Sequence, residues 1–311
     1  MYVSGFSLLL ALVLRANPGQ PQGVSNRQWA GPGTTHNLES IVIGRCYSYI
    51  RVVNPSVGEK NCLQIWEAFQ LAFVNKDPCS VLPSDYELYI NLTLHKIPPN
   101  KSLFWENNKL LVHRYADKAQ RFVPLGDSLM GWIADDLDWC GQTNYPGVDY
   151  ISCPTTSECE NNAKESFWRI ASVTYAKISS GIIYIMLNGS SPGGAFPNES
   201  FFADYELPNF QSAQVSRFEI WVNDEIEGPD LDSCGTGSLK SLGSLLDSRG
   251  YTHSCTDNYR PVQLIQCVDF PSDHQCAIRS SSSIIDPSSP IFLQFVILFV
   301  SFGQIHLLSS M

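Results

Sequence analysis

Basic residues are scarce: 20 Lys and Arg stand against 30 Asp and Glu, a formal charge of -10 over 311 residues. A nucleic-acid surface needs clustered Lys and Arg to neutralise phosphates, and no such cluster occurs, so nucleic acid is excluded as a partner. The shortage leaves room for a dinucleotide, whose phosphates can rest on backbone N–H groups and one or two basic side chains. None of the ten cysteines forms a C-x-x-C pair, which argues against zinc, and no metal is expected. The chain also lacks G-x-G-x-x-G, a Walker loop, H-E-x-x-H and any internal repeat, so none of these motifs announces a reaction. None of the six His residues lies in a nucleophile or metal motif. Acidic residues such as Asp135, Asp136 and Glu206, taken singly, read as solvated charges.

What is present begins at the two ends. The apolar run from Phe6 to Leu14, followed by Arg15 and Pro18, resembles the core and exit of a secretory signal, although the usual positive charge before it is missing. Residues 1–30 are therefore expected to be a signal region. At the other end Arg279 is followed by Ser280, Ser281, Ser282 and Ser283, a proline-containing spacer, and the apolar tail from Ile291 to Phe302. Small residues, spacer and terminal apolar tail in that order form a glycosylphosphatidylinositol (GPI) attachment signal, with Ser281 the expected anchor residue and 282–311 the segment removed. A membrane-spanning helix is the rival reading, but the run is short for the roughly 20 residues a bilayer requires. Four sequons, at Asn91, Asn100, Asn188 and Asn198, fit the lumenal route and are candidate glycan acceptors.

Between these ends the folded body is expected over residues 34–278. Cys62, Trp66, Phe69 and Phe73 recur at helical spacing, as do Leu129, Ile133, Leu137 and Cys140, with Asp127 as a candidate N-cap for the second helix. These stripes read as core. The second half changes character: a helix from near Ser166 carries Trp168, Ser172 and Tyr175 on one side and stops at Gly181. The run from Ile182 to Leu187 then reads as a buried strand, Phe218, Ile220 and Val222 alternate as another, and Leu239, Leu242, Leu245 and Leu246 recur as a helix ended by Gly250. Strand, helix and strand in succession imply an α/β fold with a parallel sheet.

Ten cysteines in an export-directed chain are consistent with five bridges. Composition cannot choose among the connectivities. Local pairing is the simplest guess: Cys46 with Cys62, Cys140 with Cys153, Cys234 with Cys255 and Cys267 with Cys276, leaving Cys79 with Cys159.

Three segments in order, residues 127–141 (DSLMGWIADDLDWCG), 166–172 (SFWRIAS) and 185–190 (IMLNGS), resemble the central motifs of the ADP-ribosyl cyclases. Residues 76–86 (KDPCSVLPSDY), 101–107 (KSLFWEN) and 201–206 (FFADYE) resemble its lipid-anchored vertebrate branch, and the likeness covers about 45–277 with all ten cysteines in place. The resemblance implies the same five disulfide pairs. It implies a bilobed fold, with a helical lobe from 34–99 and 123–164 and a lobe with a short parallel sheet from 100–122 and 165–278. It also implies an enzyme that cleaves the nicotinamide–ribose bond of NAD to ADP-ribose and some cyclic ADP-ribose, NAD being substrate and no cofactor being needed. Attachment to the outer face of the cell membrane and a homodimer follow from the same resemblance, with cell-surface or matrix proteins as further candidate partners.

Carried over residue by residue, Glu206 matches the catalytic glutamate, Trp105 and Trp168 the indoles that flank the nicotinamide end, and Ser172 a hydroxyl at the ribose-phosphate region. Asp127 and Phe201 complete the expected substrate contacts. The residue types suit the chemistry: a carboxylate opposes the positive charge that builds on the ribose, and indole faces stack on a pyridinium. Gly126 stands where many members of that family have a Glu, a departure that bears on rate and product choice. The alternative function is a surface receptor or adhesion glycoprotein on the same fold with little turnover.

Overall fold

The computed structural model describes residues 28–117, 120–143 and 146–277. Most of the expected signal region, and the whole tail with Ser281, lie outside them. In chain order the regular elements are β1 (Gly31–Pro32), α1 (Leu38–Ser48), α2 (Cys62–Leu71), α3 (Glu87–Thr93), β2 (Leu103–Glu106), α4 (Lys109–Ala116), α5 (Leu129–Ala134), β3 (Ser152–Cys153), α6 (Ala163–Ile178), β4 (Gly181–Asn188), β5 (Val215–Asn223), α7 (Gly237–Ser248), β6 (His253–Asp257) and α8 (Arg260–Gln266). The folded body starts earlier than residue 34. Trp29 is buried and its N–H donates to Ser152 Oγ at 2.9 Å, and β1 pairs antiparallel with β3 beside the Cys140–Cys153 bridge.

Four strands form one sheet in the order β2-β4-β5-β6, all neighbours parallel. β4 and β5 are β-branched-rich because their apolar side chains are covered: Ile183, Ile185, Phe218 and Ile220 face the main core, and Met186 and Trp221 face a smaller cluster under α4 and α8. The main core is continuous from the sheet into the helices, so the two expected lobes share one apolar interior. Its centre is aromatic. Phe69 stands 4.9 Å from Trp139 and 5.3 Å from Tyr89, ring centre to ring centre, and Trp139 Nε1 donates to the buried Tyr86 hydroxyl at 2.8 Å, which donates on to Ala163 O. The stripe Trp66, Phe69 and Phe73 is therefore core, as its spacing predicts. All five disulfide pairs are present as the resemblance implies.

Two helices differ at their ends from the sequence reading. The helix expected to run from Leu129 to Cys140 stops at Ala134, and its N-cap is Ser128, whose hydroxyl accepts from Gly131 N–H, not Asp127. Asp135 is extended and Asp136 adopts φ 55°, while Arg45 reaches across to take the carbonyls of Trp132, Ile133 and Asp135. A cation on those orphan carbonyls makes the early stop stable. α6 starts three residues before Ser166, because Asn162 caps it by accepting from Glu165 N–H at 2.9 Å. It ends at Ile178, and Gly181, at φ 75°, opens β4 instead of closing the helix.

Asn162 is 4% exposed and its side chain also donates to Cys159 O at 2.9 Å. Asn162→Ala removes both contacts and is expected to lower stability by roughly 1–2 kcal/mol, read as a lower urea midpoint at unchanged slope; an unchanged midpoint refutes the capping role.

Candidate active site

A cleft of about 290 Å³ opens between β2, α4, the 125–136 segment, α6 and the turn at 201–206. Each wall follows from local structure. Trp105 and Glu106 close β2 at its C-terminal end, where parallel sheets present ligands. Trp168, Ser172 and Tyr175 lie at helical spacing on α6 and all face the cleft. Glu206 ends a π-helical turn, Phe202–Glu206, closed by Leu207 N–H on Phe202 O; such turns displace a side chain from the α-helical register. The structure thus brings together Glu206, Trp105, Trp168, Ser172 and Phe201.

Glu206 is 7% exposed, and Ser172 Oγ donates to its Oε1 at 3.0 Å. Burial pushes its carboxyl up to about 8; the Ser172 bond opposes the rise and the neighbouring Glu106 carboxylate adds to it. Glu106 is itself raised by burial against the bonds from Ser200, Phe202 and Asn107 that favour its charge. A carboxylate beside a buried carboxyl favours the protonated form of the latter, as Glu106 does for Glu206. Tyr175, fully buried, ties the floor together: its hydroxyl accepts from Leu103 N–H at 3.1 Å and donates to Val123 O.

The opposite wall is charged. Lys109 and His113, one turn apart on α4, face it. Lys109 Nζ lies 2.7 Å from Asp135 and 2.6 Å from Asp136. His113 Nδ1 lies 3.0 Å from Asp127 Oδ1 and its Nε2 lies 3.9 Å from Asp135 Oδ2. Burial works against a proton on His113, but the Asp127 and Asp135 carboxylates outweigh it and raise the imidazole above its ordinary value. Gly126 makes this arrangement possible. A Cβ there would stand 2.9 Å from His113 Cε1, so the imidazole fills the space that a side chain at 126 would need.

Asp127 departs from its expected place: it is buried, does not line the cleft, and turns to His113 because the tight turn at 125–127 sends Gly126 to the cleft and Asp127 inward. Glu106, Lys109 and His113 escape a sequence reading. Only the one-turn spacing of Lys109 and His113 hinted at a shared face. Asn91, Asn100 and Asn198 are exposed; Asn188 is buried, its amide nitrogen donating to Asn107 O and Glu225 Oε1.

A model of the ADP-ribosyl cyclase family matches residues 35–276. The chain belongs to that family. It is 52% identical over 268 residues to human ADP-ribosyl cyclase/cyclic ADP-ribose hydrolase 2, covering 86% of this chain and 84% of the relative. It is 33% identical over 249 residues to the Aplysia californica ADP-ribosyl cyclase/cyclic ADP-ribose hydrolase, covering 78% and 88%. Among solved structures, Aplysia cyclase complexed with the substrate NGD and the product cGDPR superposes with TM-score 0.75 at 32% identity, over 79% of this chain and 98% of that one. Porcine CD38 carrying a covalent intermediate superposes with TM-score 0.71 at 35% identity, over 75% and 100%. The α/β cyclase fold with its parallel sheet and five disulfides is thereby established for this chain.

The raised Glu206 has a consequence for stability. The unfolded chain loses this proton near 4.5 and the folded chain only near 8, so between those values the folded state binds more protons and stability falls as pH rises. Glu206→Gln is therefore expected to gain stability over the parent, by on the order of a few kcal/mol at pH 8.5 and little at pH 4.5. Denaturant midpoints of both proteins at the two pH values measure this; a gap that does not change with pH contradicts it.

Proposed function

We propose that this chain is a cell-surface ectoenzyme that cleaves the nicotinamide–ribose bond of NAD at Glu206, giving ADP-ribose and a fraction of cyclic ADP-ribose, which it also hydrolyses. The observation that carries the reading is a nearly enclosed carboxylate beside two partly exposed indoles in one cleft. As nicotinamide leaves with the bonding electron pair, positive charge builds on the ribose carbon. The Glu206 carboxylate opposes that charge in a site with little water, where electrostatic stabilisation is strongest. Trp105 and Trp168 offer faces to the cationic ring, and Ser172 holds the carboxylate in place. Water then completes the route to ADP-ribose, and a ring nitrogen of the substrate's own adenine completes the route to the cyclic product; each route releases one proton. No resident cofactor enters. A receptor without turnover has no use for a carboxyl buried at such cost.

The same reading places the two lobes, 34–99 with 123–164 and 100–122 with 165–278, as the walls of the cleft. It places glycans at Asn91, Asn100 and Asn198, and at Asn188 with the loss of one amide hydrogen bond. A homodimer and surface or matrix partners belong to it, as does a GPI anchor near Ser281. None of the described helices is long and apolar enough to cross a membrane.

Glu206→Gln is expected to reduce nicotinamide release from NAD by roughly 10²–10³-fold while the fold survives; parent-like release from the folded variant removes Glu206 from its role. In the parent, kcat/KM is expected to climb with pH until about 8, where free Glu206 ionises, and the limb in kcat to lie lower, because bound pyridinium favours the carboxylate. A flat profile over pH 5–8 contradicts the assignment.

Phosphatidylinositol-specific phospholipase C is expected to release the protein from cells. Retention, in a sample where a known GPI protein is released, establishes a peptide anchor instead.

A further inference from the structure

Phe201 and Phe202 are adjacent but differently held. Phe202 is fully buried among Phe104 and Phe196. Phe201, half-buried at the cleft, packs on Tyr205, four residues on, with ring centres 5.3 Å apart and planes at 48°. Tyr205 lies in turn under the guanidinium of Arg169, whose Cζ stands 5.4 Å from the ring centre.

Arg169 is well fixed for a surface-side cation. Its side chain is 12% exposed; Nε faces Glu165 Oε1 at 3.4 Å and one terminal nitrogen faces Glu160 Oε1 at 3.4 Å. Nε makes no hydrogen bond, and the same terminal nitrogen donates to Asn161 Oδ1 at 3.4 Å, so the plane of the guanidinium is set by the ion pairs, that bond and the ring beneath it. Arg169 follows Trp168 on α6, and Tyr205 precedes Glu206 in the π turn. Neither lines the cleft. The stack thus joins, from outside, the helix that carries one indole to the turn that carries the carboxylate.

We propose that Arg169 and Tyr205 are positioning residues that hold the Phe201 ring against the cleft and thereby set the fraction of substrate that cyclises. The proposal rests on the proposed cleavage of NAD in this cleft and on Phe201, an aromatic ring at its rim and an expected substrate contact, being the surface on which the folded-back adenine stacks. Cyclisation is an intramolecular attack and depends steeply on orientation, whereas attack by water does not depend on where the adenine lies. A ring free to change rotamer therefore lowers the cyclic product and spares the linear one. Glycosidic cleavage precedes the choice, so total nicotinamide release is unaffected.

Full-length protein purified in detergent, with NAD as substrate, tests this through the cyclic-to-linear product ratio, total nicotinamide release and the melting temperature. Arg169→Gln and Tyr205→Leu are expected to lower the ratio by about 2- to 5-fold, the factor of one cation–π contact, with release near the parent level. Arg169→Lys, which keeps the charge, and Tyr205→Phe, which keeps the ring, are expected to restore most of it. Phe201→Ala is the reference: if it lowers the ratio and the Arg169 and Tyr205 variants do not, the positioning role is overturned. If Phe201→Ala leaves the ratio unchanged, the reading of Phe201 itself has failed. Equal losses of ratio, release and melting temperature in Arg169→Gln and Tyr205→Leu also overturn the proposal, because they show support of the fold alone.

Discussion

The structure is organised around one unfavourable placement, the Glu206 carboxyl in a site that leaves it 7% exposed. Removing a carboxylate from water is costly unless hydrogen bonds replace the lost hydration, and among the described residues Ser172 alone donates to it from a side chain. The group answers by moving its ionisation up to about 8. That shift weakens the folded state near neutral pH, and the low polarity that causes it strengthens the attraction between the ionised carboxylate and a cation in the cleft. Substrate with a cationic ring restores what the free protein lacks.

Holding such a group still requires a frame that cannot relax around it. The aromatic centre formed by Phe69, Tyr86, Tyr89, Trp139 and Phe167 joins α2, α3 and α6, and α6 is the helix that presents Trp168, Ser172 and Tyr175. Cys79–Cys159 spans 80 residues and ties the segment before α3 to the one before α6. Closing a long loop in the unfolded chain is where a disulfide contributes most in the chain-entropy account. Tyr175 completes the frame by bonding to both Leu103 and Val123, so the floor of the cleft cannot shift without breaking a buried hydrogen bond.

The cleft is asymmetric in a way that the missing side chain at 126 explains. One side is aromatic and nearly neutral. The other is an alternation of charges, from Asp127 through His113, Asp135 and Lys109 to Asp136. The imidazole occupies the volume that a glutamate at 126 would claim, so this wall carries a raised His113 in place of a further carboxylate. Phe201 stands on the aromatic side of the same cleft, so the two walls present different chemistry to whatever enters it.

Much of this was legible in the residues. The helical stripes, the parallel sheet and the core reading of Trp66, Phe69 and Phe73 followed from periodicity, because burial acts on whole faces and leaves a repeat. The motifs around Trp105, Trp168, Ser172 and Glu206 pointed to the family, and the structure places those four in one cleft. Other features depended on contacts between distant segments. Arg45 stops α5 at Ala134 from 87 or more residues away, and no local signal encodes that. Asp127 read as a cap and a substrate contact, yet the tight turn at 125–127 sends it to His113. Glu106 raises the Glu206 carboxyl only because β2 and the π turn meet. The sequence by itself determined which faces are apolar, which cysteines are available and which residue types reach the active cleft. The tertiary structure alone decided the ionisation of Glu206, the place of His113 and the support of Phe201, because each is set by through-space distances between segments far apart in the chain.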